Sequence, residues 1–270
     1  MCTLVILRRP GHPWPVVIGA NRDEMAERPW RPPGRHWADR PEVVAGLDLE
    51  AGGSWLGVND HGVAAAVLNR RDSLGPAPGK RSRGELVLDA LDHADAVAAA
   101  EALAELDPRA WRPFNLIVAD DRDAYWIRGT GEAGPPVVGV RPVPEGISMI
   151  ASDDLNDTGH PRLARYLPLF RTAAAPEPDR ADYASWEALL SSADPEPEAG
   201  ATAAMSFRLD SGYGTSSASL IALPSTAAAD PPRPVWRFAY GRPDTAPFRP
   251  LDLGPPALPP LEAPEEPERP

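Results

Sequence analysis

Residues 2–24 read CTLVILRRPGHPWPVVIGANRDE, and the fold turns on how they pair. Residues 2–8 form a short apolar strand, Pro10-Gly11-His12-Pro13 a turn, and 15–20 a second apolar run, with Pro15 suited to its first position. An antiparallel hairpin lays the end of the second strand beside the start of the first. It therefore brings Asn21-Arg22-Asp23-Glu24 next to Cys2, the only cysteine of the chain. Strand alternation puts Asn21 and Asp23 on one face and Arg22 and Glu24 on the other.

Cys2 is small, so removal of Met1 is expected, leaving a thiol and a free α-amine on one residue. The thiolate is the reactive form; an ordinary thiol titrates near about 8.5 and an α-amine near about 7.7–8.0, so the amine can accept the thiol proton. Asp23 is placed to orient that amine, Arg22 to stabilise the thiolate, and Asn21 to donate to substrate or a developing oxyanion. The plain reading is a buried small residue beside a solvated strand end with an Arg–carboxylate pair.

Working outward, residues 29–41 (PWRPPGRHWADRP) read as an irregular loop whose Trp30 and Trp37 either wall a pocket or anchor the loop. A short strand at 43–46 precedes a hairpin of 54–59 and 63–69. Asn69 ends that hairpin as a second oxyanion donor or as a cap of the next turn. Ser82 and Glu85 form a capping box that starts a helix, followed by an alanine-rich helix over 94–105. Strands follow at 114–119, 124–128, 136–140 and 147–151. Helices follow at 161–172, ended or kinked near Pro168, and at 182–192. The last strands are 201–208 paired with 217–223, then 234–240, and residues 254–270 form a Pro- and Glu-rich tail with a disordered composition. The order implies one α+β domain over 1–253, with two mainly antiparallel sheets between helical layers.

The net charge of −12 argues against nucleic acid and anionic membranes as partners. No apolar run approaches the roughly 20 residues of a membrane span, and no signal peptide is evident. One cysteine makes no internal disulfide, which points to a reducing cytoplasm. H-E-x-x-H, C-x-x-C, a Walker loop and G-x-S-x-G are all missing, so no metal or cofactor is expected. Gly129, Gly131 and Gly134 spell G-x-G-x-x-G, but Pro135-Pro136 disfavours the helix that motif should open.

Four segments, in order and reaching about residue 223, resemble the NRDE family, also called the Transport and Golgi organisation 2 family. They are Met1-Cys2-Thr3, Asn21-Arg22-Asp23-Glu24, Gly52-Gly53-Ser54-Trp55-Leu56-Gly57 and Tyr213-Gly214-Thr215. The resemblance implies a four-layer αββα sandwich of the N-terminal nucleophile hydrolase type and adds Tyr213 and Thr215 to the site. Members are linked to haem trafficking, to lipid or acyl-CoA handling and to secretory-pathway effects. The scaffold is also similar to bile-acid and penicillin amidases, which cleave C–N amide bonds and match at Cys2 and Asp23. Three positions depart. Ala20 stands where the amidases carry Arg, and Ser216 where the family has Arg, so a second positive charge is missing. Asp153 follows Ser152 where the family has Asn, putting a carboxylate where an oxyanion donor belongs.

Two functions follow as expectations. In one, Cys2 attacks the acyl carbon of a small amide, its amine shuttles the proton, Asp23 orients the amine, Arg22 supports the thiolate and Asn69 holds the oxyanion. In the other, a non-catalytic carrier holds a haem-like or acyl ligand in an apolar pocket of Trp30, Trp37 and Trp55, with Cys2 available as an axial ligand.

Overall fold

The opening hairpin forms as its residues require: β1 (Thr3–Arg8) pairs antiparallel with β2 (Val16–Met25), with Thr3 opposite Asn21. The computed structural model describes residues 2–130, 138–194, 199–227 and 233–255. Gly131, Gly134, the first residues of the strand expected at 136, and the tail beyond Pro255 lie outside the described residues.

In chain order there follow β3 (Trp30–Gly34), β4 (Val43–Asp48), β5 (Leu56–Asn59) and β6 (Ala64–Asn69), then helices α1 (Gly84–Leu91) and α2 (Ala96–Ala104). Next come β7 (Phe114–Ala119), β8 (Ala124–Gly129), β9 (Val138–Pro142) and β10 (Gly146–Ile150), then helices α3 (Pro161–Thr172) and α4 (Ala184–Leu190). The chain closes with β11 (Tyr213–Leu223), β12 (Val235–Ala239) and β13 (Phe248–Pro250). One sheet has the order β10-β1-β2-β11-β12-β13, the other β3-β4-β5-β6-β7-β8-β9, and every pairing in both is antiparallel.

Alternation along the strands produces three apolar layers. Leu4, Ile6 and Ile18 face the second sheet and meet Leu56, Ala66 and Leu68 between the sheets. Val5, Leu7 and Val17 face the other way, onto Tyr166, Phe170 and Trp186 of α3 and α4. The outer face of the second sheet packs Val43, Ala65 and Leu116 against Leu86, Val87 and Leu91 of α1. The architecture is the four-layer αββα sandwich.

Several local expectations change. The tetrad lies inside β2, because β11 pairs with β2 as far as Met25. The loop at 29–41 contains the edge strand β3. Helix α1 starts two residues after Ser82, and only half of the capping box forms: the Ser82 amide donates to Glu85 Oε1 (3.3 Å), but Ser82 Oγ accepts from the Gly84 amide (3.2 Å) and the Glu85 amide donates to the Ser82 carbonyl. Helix α3 continues through Pro168, which faces solvent, so the carbonyl it deprives of a donor can be hydrated. Residues 201–208 form no strand with 217–223, since β2 and β12 already occupy both edges of β11. That segment instead makes a 3-10 turn at Ala201–Ala203 and buries Met205 and Phe207.

Candidate functional site

Cys2 precedes β1 and sits across from Arg22 of β2, on the face turned toward the second sheet. Its Sγ lies 3.4 Å from the Asp23 peptide nitrogen, a donor to sulfur. Beneath it is a slot of about 20 Å³ bordered by Leu4, Ala20, Leu56, Ala66 and Leu68. On its open side is a cleft of about 640 Å³, also bordered by Arg22, Trp55, Asn69 and Tyr213. Burial pushes the Cys2 thiol above its ordinary value and the Asp23 carboxylate adds to the effect; the Asp23 N–H and the Arg22 guanidinium pull it down without winning. Arg22 is 5% exposed, stacks over Trp55 at 4.4 Å and donates to Ser216 Oγ at 3.1 Å. Glu24 (4.0 Å) and Asp48 (3.8 Å) are its looser acidic partners. Trp55 can lie over β4 because position 46 is glycine: a Cβ there would meet the indole at 2.3 Å.

Asp23 faces the helices. Its Oδ2 accepts from Arg162 Nη1 of α3 at 3.0 Å, and its Oδ1 from the Thr215 hydroxyl at 2.9 Å. Both charged side chains are essentially sealed, at 1% and 0% exposure. Arg162 also donates to Thr3 Oγ1 (2.5 Å) and the Thr202 carbonyl (2.7 Å), tying β1, β2 and the 202–207 segment together. A β-bulge puts Thr215 on that face: the register shifts between Thr215 and Ser217, leaving Ser216 as the extra residue. Ser217 and Ser219 therefore border the slot, while Thr215 reaches Asp23. His160 caps α3, its Nδ1 accepting from the Arg162 amide at 3.2 Å. Burial, with Arg162 close by, lowers its pKa to about 4, so it is neutral at pH 7.

The far wall of the cleft is built by close backbone contact. Gly53 and Gly84 leave no room for side chains, since a Cβ on Gly53 would meet the Gly84 carbonyl carbon at 2.5 Å, and the Ser54 amide donates to Gly84 O at 3.0 Å. The contact sets Ser82 and Arg83, at the start of α1, on the border of the cleft that Cys2 also lines. Burial and the neighbouring Arg112 lower the Arg83 pKa to about 10, with Cys2 and Glu24 acting the other way.

The structure thus brings Cys2, Arg22, Asp23, Trp55, Asn69 and Tyr213 around one opening. The Asn21 amide turns away from it, donating to the Leu190 (2.9 Å) and Met205 (2.8 Å) carbonyls under α4. Thr215 contacts Asp23 rather than the cleft. Trp30 packs edge-on against Trp55 (5.7 Å) and Phe238 (6.1 Å) in the inter-sheet core, and Trp37 donates to the Gly52 carbonyl (3.1 Å); neither walls the opening. The expected intruding carboxylate is held off: Arg71 donates to Asp153 at 3.1 and 2.8 Å and lowers its pKa. A second cation is also present beside Asp23, and it is Arg162. Its signal was legible, as an arginine on the same buried helical stripe as Tyr166 and Phe170, where a charge requires a buried partner. Among the described residues no group of three or more His, Cys, Asp or Glu side chains could hold a metal ion, and no helix is long and apolar enough to cross a membrane.

The sequence pattern of the family named Transport and Golgi organisation 2 matches residues 1–226. The chain belongs to that family. The Transport and Golgi organization protein 2 homologs of Bos taurus and Homo sapiens are 37% and 34% identical over 117 residues, which is 39% of this chain and 38% of each relative. The aligned stretch therefore covers well under half of those two Transport and Golgi organisation 2 proteins. Among solved structures, the Caenorhabditis elegans N-acylethanolamine-hydrolyzing acid amidase ortholog aligns with a TM-score of 0.55 at 13% identity, over 85% of this chain and 96% of that one. That likeness is one of fold: this Transport and Golgi organisation 2 chain has the αββα layers of N-terminal nucleophile hydrolases.

Proposed function

We propose that the chain is a cysteine amidohydrolase acting on a small acyl amide, with Cys2 exposed as the N-terminal residue once Met1 is removed. The observation that carries this reading is the position of Cys2 Sγ at the junction of slot and cleft, with the Asp23 N–H 3.4 Å away and Arg22 beside it. The thiol gives its proton to the α-amine and the sulfur bonds to the acyl carbon. The C–N bond then breaks as the proton passes to the departing amine. Water cleaves the resulting thioester, releasing the carboxylic acid and restoring the thiol. The Asp23 amide and Arg22 lie on the sulfur's flank and meet charge that develops there, with Asn69 as a further donor. The Asp23 carboxylate, fixed by Arg162 and Thr215, holds the strand end to which the amine is joined. The work is assigned to a reducing cytoplasm, where a free thiol persists.

The test is release of the fluorescent amine from N-acyl aminocoumarins of graded acyl length, with intact mass reporting Met1 removal and an acyl adduct. Wild type should turn over a short-chain member, and Cys2→Ala should lose about 10³-fold or more. Full hydrolysis by Cys2→Ala, or retention of Met1 on active protein, overturns the proposal. Retained binding of an acyl or haem-like ligand with no turnover by wild type would favour the carrier reading.

A further inference from the structure

We propose that the far wall of the cleft, built from Arg83, Arg112 and Lys80, is a recognition site for an anionic group on the amine half of the substrate. The inference rests on the amidohydrolase reading for the direction of the substrate, and on the charge of the wall for everything else.

The two ends of the cleft are charged differently. At the near end, acids and bases are matched: Arg28 donates to Asp48 at 2.7 Å and pairs with Glu50 at 2.7 Å, and Arg22 lies between Glu24 and Asp48. At the far end Arg81 pairs with Glu85 (2.5 Å) and Asp89 (4.0 Å), but among the described residues Arg83, Arg112 and Lys80 do not pair with an acid. Arg83 Nη1 donates to the Ser73 carbonyl (2.7 Å), the Ser73 hydroxyl (2.9 Å) and the Pro113 carbonyl (3.1 Å). Arg112 donates to the carbonyls of Asp72 (3.0 Å) and of Leu74 to Pro76, and Lys80 to that of Arg109. All of these acceptors are neutral. Among the described residues none of the three cations forms an ion pair, although the chain carries a net charge of −12. Neutral acceptors fix the geometry of the groups without pairing their charge, and Glu24 acts on Arg83 only through space, without an ion pair. Arg83 and Arg112 bind the same turn, Arg83 at the Ser73 carbonyl and Arg112 at those of Asp72 and Leu74, so the two guanidiniums are neighbours. Like charges held together inside a concave wall favour an anion bound between them.

Size decides which half of the substrate reaches that wall. The slot under Cys2, about 20 Å³, has room for about one water or methyl group. It is bordered mainly by Leu4, Ala20, Leu56, Ala66 and Leu68, with Ser217 and Ser219 among its polar neighbours, so it suits the end of a short, largely apolar acyl group. The cleft of about 640 Å³ must take the rest. The substrate class is therefore a short-chain N-acyl amide whose amine carries a carboxylate or phosphate.

The experiment measures binding to the full-length Cys2→Ala variant, in which no turnover can intervene. The probes are N-acetylglycine, N-acetylaminomethylphosphonate and the neutral N-acetylglycinamide, titrated by ligand-observed NMR at low salt. Both anions should bind at least about 10-fold more tightly than the neutral amide, the tighter of the two naming the headgroup, and raising the salt should weaken both. Lys80→Gln, at an exposed position, and Arg112→Gln should each reduce anion affinity about 3- to 10-fold and leave neutral binding unchanged. Arg83→Gln should reduce it most, provided its thermal midpoint matches the parent. Equal binding of neutral and anionic probes, absence of binding by all three, or anion affinity untouched by Lys80→Gln and Arg112→Gln overturns the proposal. Hydrolysis by wild type is read separately, so either result can fail alone.

Discussion

The two faces of β2 carry neighbouring residues to opposite fates. On the helix side, Asn21 and Asp23 are sealed and held at 2.8–3.0 Å by Leu190, Met205, Arg162 and Thr215. On the cleft side, Arg22 is nearly as buried, yet its acidic partners stand 3.8–4.0 Å away and its closest neighbours are an indole face and a serine. Burial alone therefore does not separate structural from chemical roles. Close pairing does: on the helix face the Asn21 amide nitrogen and both Asp23 oxygens have partners within 3.0 Å, Asn21 Oδ1 being the exception, whereas the cleft face leaves Arg22 without a close acid beside a sulfur.

If that division holds, the largest stability loss lies on the closely paired face. Arg162→Met removes the guanidinium held 3.0 Å from the sealed Asp23 carboxylate and should cost about 3–5 kcal/mol by urea denaturation. Adding Asp23→Leu to the same chain should restore much of that, since the buried carboxylate is removed with its partner. A loss below about 1 kcal/mol in the single variant would break the comparison at its strongest point.

Acid probes the same face more gently. The folded pKa of His160, about 4, lies below the unfolded value near about 6.5, so its contribution is present above pH 6.5 and is lost as pH falls toward 4. Protonation also removes the cap on the Arg162 amide. The loss should reach up to about 3 kcal/mol by pH 4, and His160→Asn, a cap that does not titrate, should flatten the acid limb of a thermal-midpoint profile.

The hairpin, the pairing of Cys2 with the tetrad and the layer order were legible because they follow from alternation and from short-range turn signals. What escaped depended on long-range partners. Thr215 reaches Asp23 only because a bulge at Ser216 reverses the face, and no local pattern announces that register shift. The false strand at 201–208 failed for a similar reason: both edges of β11 are taken by segments distant in sequence. Residue type leaves open whether Trp30 and Trp37 wall a pocket or anchor a loop, and only their packing against Trp55 and Phe238 and onto the Gly52 carbonyl decides it. Even the thiol went the other way from the expectation set by Arg22, because burial outweighs one guanidinium.

Arg22→Met tests that balance from the cleft side. Stability should fall by only about 1–2 kcal/mol, through the lost stacking on Trp55. The Cys2 thiol, already raised, should rise further, so iodoacetamide labelling at pH 8 slows severalfold and the rate climbs at higher pH than in the parent. Unchanged labelling with a large stability loss would make Arg22 another member of the closely paired set.

The smallest effect belongs to Glu24→Gln, and its sign is the most discriminating. Glu24 is partly exposed, stands 4.0 Å from Arg22 and 3.9 Å from Arg28, and accepts from the Met25 amide at 2.8 Å, a bond the Gln oxygen can keep. Stability should change by no more than about 0.5 kcal/mol, as for exposed pairs generally. The carboxylate nonetheless helps to neutralise Arg22 and Arg83, so removing its charge leaves both guanidiniums freer to favour a thiolate. Labelling of Cys2 at pH 7 should therefore speed up about twofold, opposite to Arg22→Met. Slower labelling, or a stability cost above about 1 kcal/mol, would mean that Glu24 is fixed in the way Asp23 is, and that the two faces of β2 do not divide the work.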